Sequence, residues 1–169
     1  MMNKNIYLVA IGLLLTLMLS SCQKQEEIVI TPTHFHQSVD KVVEIMIHDI
    51  FSPPVASRVF VYPNIAAYEI MAQNDNRFTS LKNQVTDFKG IPEPENSEHI
   101  NFELAALIAH IDLSRKLIFS EDKMISLRDS LYTVWEDKNK RVFENSKQYA
   151  LQVSEHVSEW MNHDNYKET

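Results

Sequence analysis

Glycine is nearly missing from this chain. Its 169 residues contain two, Gly12 and Gly90. Glycine is the residue of tight turns, bulges and close backbone approach to phosphates. One glycine after the first 21 residues leaves no room for a GxGxxG fingerprint, a phosphate-cradling Walker loop or a GxSxG nucleophile elbow. The common nucleotide-binding and α/β-hydrolase classes are excluded, and a hairpin-rich sheet protein is disfavoured. Cysteine is scarcer still: Cys22 stands alone, so no disulfide forms within the chain and stability has to come from core packing. Basic residues are in deficit, 16 Lys and Arg against 23 Asp and Glu, for a formal net charge of −7. Removing residues 1–21, which hold Lys4 and no acid, makes the remainder one charge more negative. An acidic surface of this kind excludes nucleic acid as a partner, because phosphate neutralisation needs a basic one. It equally disfavours electrostatic attachment to anionic lipid.

No apolar run is long enough to span a bilayer. The longest, Ile6–Leu19, has about 14 residues where a spanning helix needs roughly 20. It follows Lys4 and leads into Ser20, Ser21 and Cys22. A basic start, a short apolar core and small residues after it describe a secretory signal. Leu19-Ser20-Ser21-Cys22 resembles the bacterial lipobox, in which the cysteine is diacylated and becomes the new N-terminus. The expectation is a signal peptide over 1–21, a lipidated tether over 22–37 and a helical domain over 38–169. Stable anchoring takes more than one acyl chain, which a diacylated Cys22 supplies. The partner implied is a lipid bilayer, and the implied location is exported and membrane-anchored, at the periplasmic or surface face of an outer membrane. Gln23-Lys24-Gln25-Glu26-Glu27 is similar to the acidic export tags of Bacteroidetes surface lipoproteins, and also suits a solvated tether.

The rest reads as helices. Val39, Val42, Val43, Met46 and Ile50 recur at three- and four-residue spacing, predicting a first helix over about 38–51. Ser52-Pro53-Pro54 stops it and starts the next, over about 55–72, with a kink or break expected at Pro63. Residues 73–98, with Gly90, Pro92 and Pro94, read as a long loop with local order around Phe78, Leu81, Val85 and Phe88. A third helix is expected over about 98–119, capped by Ser97. A fourth is capped by Ser120, with Glu121 and Asp122 suiting its positive end. A fifth covers about 140–162, its stripe including the core aromatics Phe143, Tyr149 and Trp160. The fold class is all-α, an antiparallel bundle of about five helices.

One stretch is dense in chemistry-bearing residues, running from His48-Asp49 through Ser52-Pro53-Pro54 and Ala56-Ser57-Arg58 to Tyr62 and Asn64-Ile65-Ala66-Ala67-Tyr68-Glu69. It resembles the N-terminal helical half of the vanadium-dependent haloperoxidase and PAP2-type phosphatase superfamily, in a lipoprotein branch of the Bacteroidetes. Glu103-Leu104-Ala105-Ala106-Leu107, Leu117-Ile118-Phe119-Ser120 and the segment after Trp160 agree with it, so the resemblance covers roughly 38–169. It implies phosphoester hydrolysis or halide oxidation on a bound phosphate or vanadate. That chemistry belongs in the family to K-x6-RP, PSGH and SR-x5-H motifs, whose cations neutralise an oxyanion. None occurs here: no arginine precedes a proline, Pro-Ser-Gly-His is absent, and neither Ser57-Arg58 nor Ser114-Arg115 has a histidine at the required spacing. The expected catalytic and metal sites are therefore none, with no cofactor in this chain. Family members run on past the position of Thr169, so a truncated or split member is expected.

Seven histidines invite a metal reading. His34 and His36 sit in the expected tether, and Glu44 and His48 lie one turn apart, but HExxH and Glu-x-x-His are both missing. The other histidines read as surface or helix-end residues. His48, Asp49, Arg58, Tyr62 and Glu69, with Tyr68, form a candidate structural network where the first two helices meet. Arg58 is expected to pair with Asp49 or Glu69, since a buried arginine needs a partner. Two functions follow. One is an incomplete, non-catalytic scaffold of a haloperoxidase or PAP2-like lipoprotein, with a separate catalytic half or a second copy as partner. The other is a stand-alone surface-anchored helical binding or structural lipoprotein.

Overall fold

The structure, a computed structural model, describes residues 25–166. Among them are five helices and no strand, in the order α1 Pro32–His48, α2 Pro53–Asn74, α3 Phe102–Arg115, α4 Glu121–Lys138 and α5 Lys140–Met161. The all-α class holds. The signal segment and Cys22 lie outside the described residues. No described helix is long and apolar enough to cross a membrane.

A helix that is apolar on every side has to be covered on every side. In α3 every residue from Leu104 to Ser114 is buried, because α2 and α5 pack along it and α1 and α4 close the remaining sides. Ala105, Ala106 and Ala109 let the neighbours approach closely. The stripes of α1 and α5 face this centre through Val42, Ile45 and Met46, and through Phe143, Tyr149, Ala150, Val153 and Val157. Helix α4 buries only Met124 and Trp135 and is the outermost layer.

Two helix starts and one expected break differ from the sequence reading. Helix α1 begins six residues early, at Pro32 rather than Ser38. Proline suits a first helical position, and the Thr31 amide donates to His34 Nδ1 at 3.0 Å. The segment before it is packed too: Ile28 is buried, and the Glu26 amide bonds the Lys138 carbonyl at 3.0 Å. The tether expected over 22–37 thus belongs to the folded unit at least from Glu26. Helix α3 begins at Phe102, not Glu98, and its cap is Asn101, whose side chain accepts from the Leu104 amide and donates to the Ile28 carbonyl. Pro63 does not break α2, which runs on to Asn74.

The 75–101 connection has no helix yet is pinned throughout. Phe88 is buried against Trp160, whose indole donates to the Thr86 carbonyl. His156 bonds the Gly90 carbonyl at 2.8 Å, and Tyr149 donates to Gln73 and to the Pro92 carbonyl. Gly90 sits at φ +88, where a side chain would be strained and a Cβ would press on Lys82 at 3.2 Å. That is the one place in the described chain where glycine is required.

Candidate functional site

The five residues expected to form one network are divided among three. At the α1–α2 corner, Asp49 turns away from α2 and caps α4. Its Oδ2 accepts from the amides of Phe119 and Ser120, both at 3.0 Å, and its Oδ1 accepts from the Ser120 hydroxyl at 2.5 Å. His48 Nδ1 lies 3.1 Å from the same oxygen. Burial alone would push the Asp49 carboxyl up. The hydrogen bonds from Ser120, His48 and Phe119 outweigh it and hold the group at about 2. The expected cap, Ser120, stands at the N-cap position but makes no capping bond of its own. Its hydroxyl is spent on Asp49, which supplies the negative end that a helix start favours.

One turn into α2, Arg58 and Tyr62 hold the far end of the chain. Arg58 Nε and the Tyr62 hydroxyl each donate to Asp164 Oδ2 at 2.8 Å. The Arg58 guanidinium lies 4.0 Å from the centre of the Tyr166 ring, and Tyr62 meets Trp160 edge-on. Partial burial and the neighbouring Asp164 push the Tyr62 hydroxyl up to about 12. The partner expected for Arg58 was Asp49 or Glu69; the structure places Asp164 there instead. Glu69 is two further turns along and 2% exposed. It accepts from the Ser80 hydroxyl at 2.7 Å and the Leu81 amide at 2.6 Å, fastening the start of the long connection to α2. Tyr68 works beside it, donating to the Thr79 carbonyl at 2.9 Å. These are positioning arrangements, each carboxylate held by at least two donors.

Sequence reasoning missed two buried groups. His110 was read as a surface or helix-end residue; it is buried in α3, bonded to the Ser38 hydroxyl at 2.8 Å and in tilted ring contact with Phe35, centroids 4.9 Å apart. Burial lowers it to about 4, so it is neutral at pH 7. The run Leu107-Ile108-Ala109-His110-Ile111, apolar on both sides of the histidine, was the available signal. Asp112 is also buried, accepting from the Ser154 hydroxyl at 2.7 Å and pairing with Arg115 and Lys116. Its i+3 and i+4 partners were legible as helix spacing.

Among the described residues, one hollow rich in cations is a pocket of about 390 Å³ bounded by Asp112, Arg115, Lys116, Arg128, Lys147 and Glu155. Each cation is already engaged: Arg115 with Asp112 and Glu121, Lys116 with Asp112 and Glu155, Arg128 with Asp129, and Lys147 with Glu144. No histidine lines it. The cations' charges are spent on carboxylates, which leaves no uncommitted cation aimed at an oxyanion in this pocket. Among the described residues, no group of three or more His, Cys, Asp or Glu could hold a metal ion.

No protein-family model matches the chain, and no curated protein does. A solved structure does: the chain is similar to a crystal structure described as that of the first bacterial vanadium-dependent iodoperoxidase, with 59% identity and a TM-score of 0.83 over 86% of this chain. This is a vanadium haloperoxidase-like chain. It covers 35% of that relative, about a third of its length. The haloperoxidase-like bundle therefore corresponds to part of such a protein, and the capped corner, the Arg58–Asp164 clasp and the Glu69 anchor are elements of that part.

Proposed function

We propose that this chain is a non-catalytic helical scaffold of a vanadium haloperoxidase-like lipoprotein, held at a membrane by lipid on Cys22. The observation that carries it is the pairing of 59% identity to an iodoperoxidase with coverage of only 35% of it, in a sequence without the three oxyanion motifs. The occupied cations of the α3–α5 pocket point the same way. Electrostatic stabilisation of an oxyanion depends on preorganised donors aimed at the developing charge, and here the donors are aimed at Asp112, Glu121, Glu144 and Glu155.

The test is direct. Purified chain supplied with vanadate, peroxide and iodide should oxidise iodide no faster than a protein-free blank, and should hydrolyse no p-nitrophenyl phosphate. Turnover of either substrate that scales with protein concentration would sink the non-catalytic reading.

A further inference from the structure

The segment ahead of α1 is fastened to one end of the bundle. Gln25 lines an open hollow of about 330 Å³ together with Glu136, Asp137, Lys138, Lys140 and Arg141. The Glu26 amide donates to the Lys138 carbonyl at 3.0 Å, at the turn where α4 gives way to α5. Ile28 is buried, and its carbonyl accepts from the Asn101 side chain at 2.7 Å. Thr31 then stands at the start of α1. From Glu26 onward the chain is part of the packed unit.

That attachment limits how far the bundle can stand from any lipid on Cys22. Cys22 is four residues before Glu26. Four residues, fully extended, span at most about 14 Å. Acyl chains lie in the hydrocarbon, and a headgroup layer of about 5–8 Å on each side separates it from water. Crossing that layer uses much of the length. Glu26, and the α4–α5 turn bonded to it, are then held at the membrane surface. A domain held off on a long stalk does not fit this length.

We infer that the α4–α5 turn is the face this chain presents to the bilayer, seated against the headgroups. The inference rests on the lipoprotein reading above and names the surface that lipid on Cys22 brings to the membrane. Charge does not oppose it. In sequence, Lys24, Lys138, Lys140 and Arg141 balance Glu26, Glu27, Glu136 and Asp137, in a chain of net charge −7. The negative potential of a lipid surface therefore meets a balanced end of an acidic molecule. The other end of α4 is 18 residues away, about 27 Å along the helix. Ile47, Ile50 and Phe119, exposed apolar side chains near that end, offer a rival contact with lipid in which the bundle lies on its side. The tether acts on the turn alone and favours the upright arrangement.

The test uses the full chain purified from bacterial membranes and bound to vesicles of phosphatidylethanolamine and phosphatidylglycerol that contain a lipid with a nitroxide on its headgroup. Asp137→Cys and Asp122→Cys, both exposed on α4, lie about 22 Å apart along it, and each carries a fluorophore. Acylated Cys22 has no free thiol, so each label is single. Both variants should melt as wild type does. The label at 137 should lose most of its emission on the vesicles, and the label at 122 little. Quenching at 122 equal to or above that at 137 puts the bundle on its side and overturns the inference. A vesicle-bound chain with neither label quenched stands clear of the surface and overturns it too. Both of those outcomes leave the lipoprotein reading standing. A wild-type chain that carries no lipid and does not bind the vesicles overturns the inference together with that reading.

Discussion

His110 shows what a single residue sets in this fold. Its imidazole lies between α1 and α3 with one hydrogen bond, to Ser38, and the Phe35 ring tilted against it. Burial lowers its pKa from the ordinary 6.5 to about 4. The unfolded chain therefore binds a proton that the folded chain refuses between those two values, so stability rises with pH across that window and is lost on acidification. The full effect is about 3 kcal/mol. The melting temperature should fall as pH is lowered from 6.5 towards 4. In Ser38→Ala/His110→Leu, which removes both polar groups together, that fall should be much shallower. Parallel curves for the two proteins would show that His110 does not carry the acid sensitivity. Asp49 acts in a lower window: its carboxyl sits near 2 against 3.8, so its contribution is complete above 3.8 and fades only below it.

At the scale of elements, three carboxylates do the joining. Asp49 ties the α1–α2 corner to the start of α4, Asp164 ties the end of α5 to α2, and Glu69 ties the long connection to α2. The Glu69 anchor is the most exposed to test, because the connection has no regular structure to hold it otherwise. Glu69→Ala leaves the Leu81 amide and Ser80 hydroxyl without their acceptor, a loss of about 1.5–3 kcal/mol for hydrogen bonds to a charged group. Limited proteolysis should then cut first between residues 78 and 90, while the helices survive. A cleavage pattern identical to wild type would mean that Phe88 and Trp160 suffice. The long connection was legible as a loop, and its pinning was not. The partners of Thr86, Gly90 and Pro92 lie on α5, 57 to 74 residues along the chain, and no local spacing encodes such a pairing.

For the whole molecule, charge and burial divide the tasks. A chain of net charge −7 is repelled by anionic surfaces, so on the lipoprotein reading proposed above attachment to a membrane falls to lipid on Cys22, where two or more acyl chains suffice. Expressed in a bacterium that lipidates exported proteins, the chain should take up labelled palmitate and enter the detergent phase on phase partition. Cys22→Ser should remain unlabelled and stay in the aqueous phase. A wild-type chain without label would end the lipoprotein reading.

Much of this architecture follows from local patterns in the sequence. The stripes of α1 and α5, the Pro53 start of α2 and the starts of α4 and α5 are set by residues within a turn or two of each other, because helix periodicity and capping act over three or four positions. The scarcity of glycine and the missing oxyanion motifs likewise need no fold to interpret. What the tertiary structure alone decided is which polar groups meet. His48, Asp49, Arg58, Tyr62 and Glu69 lie within 22 positions and read as one network, yet α2 spreads Arg58 and Glu69 eleven residues apart, about 16 Å along its axis. Each then finds the partner that packing delivers: Asp164 from 106 positions away, Ser80 across the connection, and for Asp49 the amides at the start of α4. Long-range pairing is chosen by how the helices stack, and that choice is a property of the assembled core.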